Sequence, residues 1–248
     1  FTFTLQHALD HATSPAGSSY EDDLNLTFDF TATDGDGDPV SSTFTVTVDD
    51  DSPVLKGESG QALLVDEDDI ANVLSIGTHP SDGTGDGSSS DFQFIPFGLA
   101  ATASGSLGAS VSFGADGPAA GGGFGFASTA TTTLAALGLT SKGGPLSFEI
   151  IGNAIVAYVN GGGGAGLDSY QDRPVFSLEL NATTGAFTFR QYDQLDHVDG
   201  NGENTALRTG PSTSIPNIDF GAVITATDKD GDSIPLTGKL TVTITDDV

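Results

Sequence analysis

The sequence predicts an all-β protein, a β-sandwich with Greek-key connectivity, on three observations. Threonines alternate with apolar side chains over short runs, 34 Gly and 11 Pro separate those runs, and the 34 acidic residues divide into 28 Asp and 6 Glu. Alternation is the period of a half-buried strand, and Gly and Pro mark the turns between strands. An acidic helical surface would favour Glu, a good helix former; Asp prefers caps, turns and oxygen-ligand loops. A hydrophobic fraction of 37% suits a thin sandwich. Disorder competes at a net charge of −27, and the strand patterning opposes it.

Taken in order, Leu26, Phe28 and Phe30 form one apolar row and Phe44, Val46 and Val48 its partner. Further strands are predicted over residues 63–65, 92–95, 109–113, 146–151, 154–159, 175–181 and 186–191. Leu240, Val242 and Ile244 stand between threonines and predict a terminal antiparallel strand. Gly152-Asn153 and Thr184-Gly185 are hairpin turn signals. The Ala-rich residues 131–139 read as a helical turn or one short helix, and the Gly-rich residues 105–126 as a long loop or irregular strand pair.

The chain repeats itself. FTFTLQHALDHA at the start matches FTFRQYDQLDHV from Phe187, pairing Phe1 with Phe187 and His11 with His197 at an offset of 186. TATDGDGD from Thr31 matches TATDKDGD from Thr225 at 194, and FTVTVDDD from Phe44 matches LTVTITDD from Leu240 at 196. Residues 1–51 are therefore expected to be the C-terminal part of one repeat, and 52–248 one complete, immunoglobulin-like repeat with a Gly-rich insertion at about 83–126.

The carboxylates cluster where turns and linkers fall. Asp34, Asp36 and Asp38 share one turn; Asp228, Asp230 and Asp232 share its counterpart; Asp49, Asp50 and Asp51 precede Ser52-Pro53; Glu67 lies within DEDD, and Asp246 and Asp247 near the last strand. Carboxylates two apart in a turn fold their oxygens toward one centre, and a divalent cation relieves their repulsion. Ca²⁺ fits, taking six to eight oxygens in flexible geometry, whereas softer metals want His or Cys. These are not EF-hands: the twelfth position is Thr45 from Asp34 and Lys239 from Asp228, where a bidentate Glu is needed. The last strand, about six residues and ~20 Å long, turns the Asp228 loop back toward the linker. An interdomain calcium site is expected from the linker aspartates, the Asp228 loop and Glu67. Asp199, Asn201 and Glu203 also stand at ligand spacing, but the first repeat lacks them. GGAGLDSYQ from Gly163 fits a calcium-binding nonapeptide, yet a single copy reads as an ordinary loop.

Other chemistries find little support. With no Cys, Met or Trp there is no disulfide, thiol nucleophile or Cys-bound zinc. Seven Lys and Arg are too few for nucleic acid, and anionic membranes would repel the chain. No apolar run approaches the ~20 residues of a membrane helix. No initiating Met or signal peptide is present, so a fragment of a longer protein is expected. His11 and His197 share an LDH motif in which Asp10 or Asp196 is expected to cap a turn and hold the ring; His7 and His79 show no partner. No Ser-His-Asp set is evident, and with so many carboxylates any glycosidase pair would be an arbitrary choice.

The tandem of FTFT…LDH, TATDxDGD, a Thr-alternating terminal strand and DDDSP followed by VDEDD resembles the extender repeats of giant RTX adhesins secreted by the type I route. VDDDSPV is more loosely similar to cadherin calcium linkers. The resemblance implies a non-catalytic, calcium-stiffened extender on a Gram-negative cell surface, projecting a terminal binding domain for attachment and biofilm formation. Its partners would be neighbouring repeats of the same chain. A self-assembling filament or surface-layer subunit, in which other copies complete unpaired strands, is the second reading. A protein- or glycan-binding module in the Gly-rich middle is the third, weakened by the absence of Trp and a count of 4 Tyr.

Overall fold

A computed structural model describes residues 1–9, 11, 23–57, 59–76, 92–95, 98–164, 166–168, 170–200 and 204–247. Asp10, His79, Asn201, Glu203 and the Gly-rich residues 83–91 lie outside this set. The fold is an all-β sandwich. A hairpin of β1 (Leu24–Thr33) and β2 (Pro39–Val48) comes first. Beyond the linker run β3 (Val54–Leu55), β4 (Gln61–Asp66), a 3₁₀ turn at Glu67–Asp69 and β5 (Ala71–Asn72). Next are β6 (Phe92–Ile95), β7 (Gly98–Ser106), β8 (Val111–Ser112), β9 (Phe124–Phe126) and the short helix α1 (Ala130–Ala135). A meander follows through β10 (Thr140–Ser141), β11 (Gly144–Ile151), β12 (Ala154–Val159), β13 (Arg173–Leu180) and β14 (Ala186–Gln191). The chain closes with β15 (Leu207–Gly210), β16 (Thr213–Ile215), β17 (Ile218–Asp219), β18 (Ile224–Thr227), β19 (Ser233–Pro235) and β20 (Leu240–Thr245).

The large sheet has the order β10-β11-β12-β13-β14-β7-β5, with β6 also on β7. Two three-stranded sheets, β17-β20-β4 and β19-β18-β9, share a core with it. Alternation explains why. β14 buries Phe187, Phe189 and Gln191, and β20 buries Leu240, Val242 and Ile244 while the intervening threonines are half-exposed. Phe176, Phe189 and Phe220, all fully buried, meet with ring centroids 5.4 to 5.8 Å apart. Such rings bury about 150–250 Å² each and carry much of a core's energy. In α1, Ala130 and Leu134 are one turn apart and both buried.

The terminal strand corrects one expectation. β20 runs antiparallel to β17 but parallel to β4, pairing Leu240 with Gln61 and Thr245 with Asp66. No tight turn joins β4 to β20, so nothing local forces the antiparallel direction. Their C-terminal ends, leading to Glu67 and Asp246, therefore arrive side by side. The Gly-rich stretch is a second correction. Rather than looping away, residues 98–126 supply β7 and β9 to two sheets, with Ala101, Ala103, Leu107, Val111 and Phe124 in the core. The strand expected over 109–113 shortens to Val111–Ser112 behind a 3₁₀ turn at Gly108–Ser110.

The repeated segments fold differently in their two copies. β1 and β2 pair continuously from Leu24↔Val48 to Thr33↔Pro39. In the sandwich the matching hairpin is split: β18 pairs β19 in one sheet and β17 pairs β20 in another. The 3₁₀ turn Phe220–Val223 on one arm, and a turn closed by Lys239 N–H donating to Leu236 on the other, make the corner. The first copy leaves Phe28, Phe30 and Val40 exposed at 38%, 47% and 65%. Phe1 stacks on Phe44 and Phe3 tilts against Phe28, although residues 1–9 form no strand.

Candidate metal centre

The two acidic turns are built alike. Asp34 Oδ1 accepts from Gly37 N (3.0 Å) and Asp38 N (2.8 Å); Asp228 Oδ1 accepts from Gly231 N (3.1 Å) and Asp232 N (2.8 Å). Gly37 and Gly231 hold φ of 103° and 111°, which only glycine adopts cheaply. The first aspartate of each turn thus shapes the loop. Asp34, Asp36 and Asp38 are exposed, whereas Asp228 is fully buried and Asp232 is 1% exposed.

The second turn lies against Pro118 and Ala119, and the linker aspartates stand close enough to feel its charges. Asp50 is 6% exposed, and its carboxyl is raised by burial and then by the charges of Asp230 and Asp232. Asp51 accepts from Ala115 N at 2.5 Å, and ligand oxygens of Asp50, Asp51 and Asp116 lie within 4.8 Å of one another. Asp116 is raised by burial and then by Asp230 and Asp51. Asp228 is pushed up to about 7, by burial and then by the neighbouring Asp230 carboxyl. Buried oxygens Asp51 Oδ1, Asp228 Oδ2 and both of Asp230 meet no donor. An array of this kind needs protons or a cation, and a donor set dominated by carboxylates, with His11 beside Asp50, fits a hard oxygen-seeking ion. The bridge Pro118↔Asp228, with Ala119 N donating to Thr227, carries Asp116 to the site. Sequence reasoning overlooked Asp116. Its only signal was a lone carboxylate in a Gly-Ala-Asp-Gly-Pro turn.

Glu67 is not part of this group. β4 carries it six residues, or ~20 Å, away from the linker to the opposite end of the domain. There it lies with His197 and Asp246, whose ligand atoms fall within 4.8 Å of one another. Glu67 Oε1 accepts from Leu195 N (2.7 Å) and Gln191 Nε2 (2.6 Å). Burial raises Glu67; in His197 burial acts downward, but the Glu67 carboxylate outweighs it and the net shift is upward. Asp196 caps a turn as expected, accepting from Gly143 N at 2.8 Å, while the His197 ring faces Glu67 instead of Asp196. His11, the repeat counterpart of His197, stands 4.0 Å from Asp50, the counterpart of Asp246.

The remaining candidates separate. Asp49 is exposed, and Asp199, 99% exposed, pairs with Arg208 at 2.8 Å as a solvated surface bridge. Asp246 accepts from Asn204 Nδ2 at 3.1 Å. In the nonapeptide-like loop, Asp172 accepts from Gly161 N and Asp168 N, and Glu149 from Leu167 N, so backbone donors occupy these carboxylates.

One family model, described as "Domain of unknown function (DUF5801)", matches residues 62–241, well over half of the 248. The chain belongs to this family. The match begins in β4 and ends in β20, so the DUF5801 domain includes the sandwich, the Asp228 turn, Asp116, Glu67 and His197. No curated protein and no solved structure matches the chain.

Proposed function

We propose that this chain is a non-catalytic structural extender in which calcium, held where the linker meets the sandwich, fixes the angle between successive repeats of a secreted, cell-surface adhesin. One observation carries the reading: Asp50 and Asp51 of the linker converge with Asp116 and Asp230 of the following domain, and buried oxygens among them lack donors. Calcium would replace the repulsion with ligation and bind linker, Gly-rich stretch and Asp228 turn together. Extracellular calcium in the millimolar range suits weak modules of this kind, and without it mutual repulsion keeps the chain loose enough for export. The exposed Asp34 turn, built like the Asp228 turn, would offer the same face to a preceding linker.

Calcium titration by calorimetry on the intact chain, repeated with Asp230→Asn, tests this. Saturable binding weakened at least tenfold by the substitution is expected; a flat titration overturns the reading. A second reading, a self-assembling filament or surface-layer subunit, is favoured by the open apolar face of the β1–β2 hairpin. Size-exclusion chromatography across concentration distinguishes them, since a monomeric extender elutes unchanged.

A further inference from the structure

The group at the far end of the sandwich has different chemistry from the linker site. His197 is 8% exposed and Glu67 2%, yet neither ring nitrogen of His197 nor Glu67 Oε2 has a hydrogen-bond partner. Polar atoms so deeply placed normally have one. His197 Nε2 stands 3.8 Å from Glu67 Oε1, too far for a hydrogen bond. Glu67 Oε1 is held by Leu195 N and Gln191 Nε2, which leaves Oε2 open to an ion, and one ligand atom each from Glu67, His197 and Asp246 lies within 4.8 Å of the others. Asp246, the residue just past β20, brings a third donor, oriented by Asn204. An open cleft of about 390 Å³, lined by His197, Asp199 and Asp246 among others, provides a route in.

We infer that Glu67, His197 and Asp246 form a second cation site, of mixed nitrogen and oxygen donors, that takes a zinc-class divalent ion instead of calcium. Imidazole suits zinc and its neighbours, and calcium prefers oxygen alone. The ion would tie the end of β4 to the Leu195–His197 segment and to the exit of β20. In the linker group the counterpart pair, His11 beside Asp50, stands among Asp51, Asp116 and Asp230, so carboxylate oxygens dominate there and the two ends of the domain would favour different metals.

Zinc titration of the intact chain in saturating calcium tests this, with Co²⁺ as a spectroscopic stand-in. Expected are zinc binding that survives Asp230→Asn and His7→Ala, a visible Co²⁺ absorption band, and loss of both by at least tenfold in His197→Ala. Should His197→Ala fail to fold by circular dichroism, Asp246→Asn, at the half-exposed edge, takes its place with the same expected loss. Absence of zinc binding, or full affinity retained in the folded ligand variant, overturns the site.

Discussion

Asp230 has opposite effects with and without metal. Both its oxygens are buried without donors beside Asp228, Asp50 and Asp116. In chelator, Asp230→Asn removes repulsion and should raise the melting temperature; in calcium it removes a ligand and should lower it. Scanning calorimetry in the two buffers checks the crossing, and a shift of one sign in both would contradict a metal role. Asp228 sets the pH dependence of the metal-free protein. Its folded carboxyl titrates at about 7 against an ordinary 3.8, because burial and the Asp230 partner favour the neutral form. The folded state therefore binds a proton that the unfolded chain has lost, so this contribution is present below the ordinary value and disappears as pH rises through about 7. Asp50, Asp116 and Glu67 are shifted the same way. Melting temperatures in EDTA should fall from pH 5 to pH 8, and added calcium should flatten or reverse the trend.

Elements explain why equal sequences take unequal roles. Gly37 and Gly231 occupy the same position of the same turn at the same unusual φ, so alanine strains both, by about 1–3 kcal/mol. The second turn is buried against Pro118 and beside the linker aspartates, whereas the first is exposed. Gly231→Ala should weaken calcium binding and lower the sandwich melting temperature, whereas Gly37→Ala should leave both nearly unchanged; paired calorimetry checks this. The same contrast shows what was legible in the sequence. Apolar runs beginning just after the turn signals Gly152-Asn153 and Thr184-Gly185 placed β12 and β14 at their observed bounds, and the two acidic turns were visible as a repeated motif. The parallel pairing of β4 with β20 was not, because strand direction depends on how the whole sandwich closes and leaves no trace in either strand's period. Glu67 was consequently placed at the wrong end. Asp116 was hidden for a related reason: a single carboxylate becomes a ligand only through a loop contact, Pro118 against Asp228, that links residues far apart in sequence.

At the scale of the whole molecule, a chain of net charge −27 without a disulfide packs around the ring cluster of Phe176, Phe189 and Phe220, with buried polar groups at opposite ends of the sandwich. The ring cluster is indifferent to ions. Phe189→Ala should cost about 3–5 kcal/mol in calcium or EDTA alike, as the cavity beside Phe176 and Phe220 is the same in both. The linker site, by contrast, couples stability to the solvent. A ligand bound only by the folded state stabilises it by about 2.7 kcal/mol at a hundredfold excess over its dissociation constant. For a domain of this size each kcal/mol moves the midpoint by about 2–4 °C, so saturating calcium should raise it by roughly 5–10 °C. Because the ligands come from both sides of Ser52-Pro53, the same ion should also order the β1–β2 hairpin against the sandwich. Hydrogen exchange at residues 49–53 and 114–119 should slow on adding calcium, with the maximum dimension from X-ray scattering becoming better defined. If the melting temperature rises while exchange in those segments stays unchanged, calcium is binding elsewhere and the linker is not the part it stiffens.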